Sequence, residues 1–138
     1  MTVHSGRLAL STRGDTDIVD ITEGVQAVLR TSGMEVGTAV AFVTGSTAAL
    51  TTMEYEPGGV ADLRALLDVL APARAGWAHN AMNHDTNAHA HLRAAVVGPS
   101  ESIPVVAGRL VLGTWQQLVL VDFDDRPRER VVTVQIHG

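Results

Sequence analysis

Three histidines fall within eight positions, at 84, 89 and 91, and a fourth stands just upstream at 79, all inside the stretch WAHNAMNHDTNAHAHLRAA from Trp77 to Ala95. Neutral imidazole is the commonest metal ligand in proteins and the side chain whose proton moves most readily near neutral pH. His89 and His91 are two residues apart, and on a strand that spacing points both rings to one face. Three imidazoles around a tetrahedral ion, with a fourth position open, make a catalytic site of the zinc type. His79, at the far end of the intervening loop, is the third ligand of choice, and His84 is the alternative. The second nitrogen of such a ring needs a carboxylate or carbonyl partner, for which Asp85 and Glu54 are the candidates, with Asn87 as an orienting amide. The plain reading is that these are surface-loop histidines or satisfied polar groups of the core.

Three other segments have side chains that could bind a ligand. Gly45-Ser46-Thr47 interrupts two apolar runs and could offer backbone N–H groups to an anion, although locally it reads better as a tight strand connection. Gly113-Thr114-Trp115-Gln116-Gln117 joins a flexible backbone to an indole and two amides, which suits either the wall of a pocket for a flat heterocycle or a buried strand anchor. Arg126, Arg128 and Arg130 alternate with other residues; they read as a solvated strand face balancing Asp122, Asp124 and Asp125 more readily than as a phosphate site. No serine stands in a G-x-S-x-G context, so a serine hydrolase of that kind is not expected.

Composition narrows the chemistry. The chain has 138 residues and no cysteine, which removes thiolate catalysis and thiolate metal sites. All ten basic residues are arginines, so a Schiff-base lysine and a P-loop lysine are excluded. A net charge of −5 argues against general nucleic-acid binding, which draws on clustered cations. There is no apolar run of membrane-spanning length and no visible secretory signal, so a cytoplasmic protein without membrane or nucleic-acid partners is expected.

The elements that must position these residues follow from periodicity. Val3 to Thr12 alternates as a strand. Asp20 or Thr22 caps a helix, with Glu23 placed as in a capping box; Val25, Val28 and Leu29 form its apolar stripe and Gly33 ends it. Strands follow near Glu35 to Val43 and Ala48 to Met53. A second helix starts after Pro57, and Val60, Leu63, Leu66, Leu67 and Leu70 are assigned to the core before Pro72 stops it. His91 to Val97, Arg109 to Leu112, Trp115 to Phe123 and Arg130 to Ile136 read as further strands. The sum is a single α+β domain over 1–138, a mostly antiparallel or mixed sheet carrying two main helices.

The segments GSTAALTTMEYEPG (45–58), HNAMNHDTNAHAHLRAAVVGPS (79–100) and PVVAGRLVLGTWQQLVLVDFDDRPRERVVTVQ (104–135) resemble the YjbQ-like family. The likeness spans nearly the whole chain, and the LGTWQQ and N-x-H-x-H motifs with their spacing are specific. It implies an α+β sandwich assembled as a homotrimer, with pockets near subunit boundaries, and a weak thiamine-phosphate synthase activity. It also implies that His79, His89 and His91 are the family's histidines, with Glu54, Asp85, Asn87 and Gln116 in the surrounding motifs. This chain departs from the family in having Gly45 where many relatives have histidine, and Thr86 and Ala88 where glycines are common. The implied reaction joins an aminopyrimidine-methyl pyrophosphate to a thiazole phosphate and expels pyrophosphate. That chemistry favours Mg²⁺ and cationic side chains, whereas three histidines suit zinc. Arg93 and Arg109 could supply part of the anion binding.

The expectation is therefore a site with Glu54, Asp85 and His89 in catalysis and a divalent metal on His79, His89 and His91. Ser46, Thr47, Asn87, Arg93, Trp115 and Gln116 would meet a small phosphorylated or heterocyclic ligand. A metal-dependent hydrolase and a non-catalytic binding protein are the alternatives.

Overall fold

Two of the apolar runs, Ala48 to Leu50 and Leu118 to Val121, show no alternation, and the fold explains why. The computed structural model describes residues 1–138 and holds two antiparallel sheets and four helices. The larger sheet has the order β1 (Val3–Thr12), β8 (Arg128–His137), β3 (Val36–Val43), β5 (Ser100–Val106) and β6 (Arg109–Leu110). The smaller has β2 (Asp17–Asp20), β7 (Gln116–Asp122) and β4 (Ala48–Glu54). One face of the small sheet, with Leu50, Leu118 and Leu120, packs with Val132, Val134 and Ile136 of the large sheet and with Val25 and Leu29 of helix α1 (Thr22–Ser32). Its other face, with Ala49, Val119 and Val121, packs with Leu67 of α2 (Pro57–Leu70) and with Ala90 and Ala94 of α4 (Ala88–Val97). A strand covered on both sides has no polar face to alternate with.

The long edge strand β1 alternates between exposed and half-buried residues as its sequence predicts. Helix α1 ends at Gly33 in the left-handed conformation, φ 68°, as expected. Its start differs: Ile21 is the cap residue, Asp20 accepts from the Thr22 N–H one position early, and Glu23 pairs with Arg30 instead of closing a capping box. Helix α2 opens on Glu56, whose carboxylate accepts from the N–H groups of Gly58 and Gly59, with Pro57 in the first turn. Of its leucines only Leu67 is buried; Leu66 and Leu70 lie in solvent, so the assignment of the whole stripe to the core is corrected.

The larger correction concerns the histidine segment. Residues 91 to 97 belong to helix α4, not to a strand, and a short helix α3 (Ala78–Asn83) precedes it. Four alanines and a leucine within ten residues favour helix, and small side chains at 90 and 94 let α4 lie close on β4 and β7. The strand that enters the sheet is β5, after Gly98-Pro99, and pairs with β3. No helix is long and apolar enough to cross a membrane.

Candidate functional site

A helix turns about 100° per residue, so an i, i+2 pair diverges by about 200° instead of sharing a face. His89 and His91 accordingly point to different surroundings: His89 is buried, while His91 is half-buried at a cavity of about 270 Å³ shared with Gly45, Ser46 and Ala95. The ring that does meet His91 is His79 of α3. Their centroids are 4.6 Å apart and the planes are inclined by 53°.

His79 is held by a relay. Its Nδ1 accepts from the Asn83 side-chain amide at 3.4 Å, which leaves Nε2 as the protonated nitrogen, donating to the Asn87 carbonyl oxygen at 3.2 Å. Asn87 is buried and donates in turn to Asp124 at 3.4 Å. Asp85 lies beside the same ring, with Oδ2 3.9 Å from Nε2. The turn between α3 and α4 is pinned by Asn80, whose side chain accepts from the Ala88 N–H at 3.0 Å. His84 caps α3 in the left-handed conformation and is exposed.

The relay ends in a buried ionic cluster. Arg130 grips Asp122 with two hydrogen bonds, 2.7 and 2.9 Å, and donates to Thr47, whose hydroxyl donates to Asp124 at 3.1 Å. Arg128 meets Asp124 at 3.2 Å. Burial pushes the Asp122 carboxyl up, but the hydrogen bonds from Arg130, Thr12 and the Asp124 N–H, with the charge of Arg130, outweigh it and leave the pKa below the ordinary value. Asp124 is lowered likewise: burial is overcome by hydrogen bonds from the Asp125 N–H, Asn87 and Thr47 and by the charge of Arg128. Both aspartates therefore stay anionic at neutral pH. The remaining Arg130 nitrogen, Nη1, faces Gly45: a Cβ there would sit 2.7 Å from it, and φ at Gly45 is 151°. Glycine at 45 thus admits the guanidinium.

Several expected residues fall elsewhere. Arg93 is buried and spends its guanidinium on the Ala71 carbonyl, Thr16 and Asp68, which makes it a tie between α4 and the end of α2, not an anion site. Thr47 is buried in the ionic cluster, while Gly45 and Ser46 of that turn are exposed. Glu54, Trp115 and Gln116 line a separate depression of about 390 Å³, in which Trp115 is 73 % exposed, so it is no buried anchor. Arg109 lies in a third depression with Arg30.

No three His, Asp or Glu side chains of the chain converge as ligands of one ion would. The residues present do not fit the three-histidine metal site expected from strand geometry, because α4 turns His89 away from His91. Asp122, Asp124 and Arg130, expected on a solvated face, are buried instead. The signal for them was available: Asp122 and Asp124 continue an apolar run with same-face spacing, around the buried Phe123.

Comparison with known proteins agrees with the fold and the motifs. The family described as UPF0047 protein YjbQ-like matches residues 6–138. A UPF0047 protein of Methanothermobacter thermautotrophicus is 36% identical over 138 residues, covering 100% of this chain and 94% of that protein. One of Mycobacterium tuberculosis H37Rv is 38% identical over 124 residues, covering 88% and 90%. Among solved structures, a YbjQ-like protein of unknown function from Sulfolobus solfataricus superposes with a TM-score of 0.94 at 37% identity, covering 99% of this chain and 98% of that one. An uncharacterised YjbQ/UPF0047 protein from Clostridium acetobutylicum gives 0.88 at 34%, covering 96% and 99%. The chain belongs to the UPF0047, YjbQ-like family.

Proposed function

We propose that this chain is an enzyme acting on a small phosphorylated substrate, with His91 as the general acid–base group and His79 packed behind it. The observation that carries this reading is the pairing of the two rings at 4.6 Å beside the cavity of Gly45 and Ser46. Both nitrogens of His79 are engaged, by Asn83 and Asn87, which fixes that ring against His91. His91 is the ring of the pair that lines the cavity. An anionic group in the cavity would meet His91 and the exposed Gly45-Ser46 turn.

The substrate pair favoured is the one the family resemblance implies. The thiazole nitrogen attacks the aminopyrimidine methylene carbon, a C–N bond forms, the C–O bond breaks, and pyrophosphate leaves with the electron pair. A protonated His91 hydrogen-bonded to the departing oxygen stabilises the charge that develops there. In this reading magnesium arrives with the pyrophosphate oxygens it prefers, as part of the substrate.

A second reading, hydrolysis of a small phosphoester, draws on the same His91, which would protonate the leaving alkoxide. The test incubates purified protein with the two thiamine precursors and, separately, with a panel of small phosphoesters, alongside His91→Ala. Coupling that disappears in His91→Ala supports the first reading. Phosphate release from the panel alone moves the assignment to the second. Turnover equal in wild type and His91→Ala sinks both.

A further inference from the structure

On the other side of α4 lies a larger cavity, about 560 Å³, which the reading above does not use. Its wall includes Asp15, Asp85, Asp125, Arg74, Trp77 and His89. Three carboxylates against one guanidinium make it an acidic space. His89 is only 7 % exposed, and its Nδ1 is the one buried side-chain nitrogen or oxygen of the chain without a hydrogen-bond partner. The unpaired Nδ1 is enclosed, so the ring meets the cavity through its other edge, and a buried polar ring that the chain leaves unpaired is a group an occupant would pair. Burial, and then the neighbouring Arg93 charge, push the His89 pKa below its ordinary value, which leaves a neutral ring able to accept a hydrogen bond.

The wall is also built at some expense. Gly14, Asp15 and Thr16 follow one another with φ of 80°, 52° and 63°, a conformation that a β-branched residue rarely adopts. Arg93 fixes this turn by donating to the Thr16 hydroxyl at 3.1 Å, and Arg64 donates to the Thr16 carbonyl at 3.0 Å. The clamp keeps Asp15 at the cavity. Trp77 is fixed as well, its indole N–H donating to the Pro72 carbonyl at 2.8 Å.

We infer that this cavity is a binding site for a small organic cation, a primary ammonium or amidinium, whose N–H groups are shared between His89 and the carboxylates of Asp15, Asp85 and Asp125. A bare metal ion is disfavoured because these groups are spread around the cavity instead of converging on one point. A multi-donor organic cation spans such a spacing, and the Trp77 ring offers it an apolar surface.

The test is calorimetry on the full chain with benzamidine and with 1,5-diaminopentane, and with zinc chloride alone. The expected result is saturable binding of at least one amine, weakened about tenfold or more by Asp125→Asn and by His89→Phe and unchanged by His91→Ala. Asp15→Asn keeps a residue that tolerates the left-handed backbone, so it removes charge without threatening the turn. It covers the case in which His89→Phe fails to fold. Failure of both amines to bind overturns the inference. So does amine binding indifferent to Asp15→Asn and Asp125→Asn, or tight zinc binding lost in His89→Phe. His91→Ala separates this site from the enzymatic reading, since that variant abolishes turnover and leaves amine binding intact.

Discussion

At the residue scale the two histidines of the N-x-H-x-H motif have opposite duties. His91 faces a cavity; if it is the acid–base group proposed above, its replacement by alanine lowers turnover by about 10²- to 10⁴-fold, measured as kcat, with folding unchanged by circular dichroism. His89 acts on stability. Its folded pKa lies below the ordinary 6.5, so between those two values the unfolded chain binds more protons than the folded one. Stability is therefore undiminished above about pH 6.5 and falls as the pH drops through the folded pKa. Urea midpoints recorded from about pH 8 to about pH 5 should show this fall in the wild type and lose it in His89→Gln; an unchanged slope in the variant would place the effect elsewhere. The same sign holds for Asp122 and Asp124, whose folded pKa values lie below the ordinary 3.8: their contribution is complete above that value and is lost as acid titrates them in the fold. Asp122→Asn leaves Arg130 buried without its counter-charge and should cost about 3–5 kcal/mol in urea denaturation at neutral pH.

At the element scale the two periodicities explain what was legible in the sequence and what was not. The strand β1, the helix α1 and the runs of β3, β4, β7 and β8 announced themselves because one strong pattern governs each. Helix α4 did not: Ala-His-Ala-His alternates like a strand over four residues, and only the burial of positions 90, 93 and 94, with 97 half-buried, reveals a turn of 3.6. That one misreading of period moved His89 to the wrong face and created a three-histidine ion site that the helix cannot form. Strand β5 was hidden by Pro104 within it and by the Ser-Glu-Ser start, although its partner β3 was plain. The relay from His79 through Asn87 to Asp124 joins residues 37 or more apart in sequence at its last step, and no local pattern encodes such a contact. Helix α4 itself makes a sharp prediction. Ala90 is fully buried against the small sheet, so Ala90→Leu must push the helix off β4 and β7, costing about 1–3 kcal/mol and displacing His79 from His91. A thermal melt reads the first effect. A fall in kcat exceeding any loss of folded protein at the assay temperature reads the second.

At the scale of the whole molecule, the chain leaves apolar surface uncovered. Leu66, Val69 and Leu70 stand on one side of α2 at 53, 79 and 59 % exposure, and Trp115 stands beside Glu54 at the mouth of a depression distinct from that of His91. Isolated exposed apolar residues are ordinary, but three at i, i+3 and i+4 form a stripe of the kind that partners cover. The homotrimer implied by the family resemblance would supply such a partner and would bring the Glu54–Trp115–Gln116 depression of one copy within reach of another. Light scattering on purified protein should then give three times 14.6 kDa. Val69→Glu places a charge on the stripe without touching the core, and its expected effect is a shift toward 14.6 kDa with secondary structure retained. If Val69→Glu leaves the trimer intact, the stripe is not the contact, and Trp115→Glu tests the other surface. A wild-type chain that scatters as a single copy would end the trimer, while the His79–His91 pair, built wholly within one chain, would stand without it.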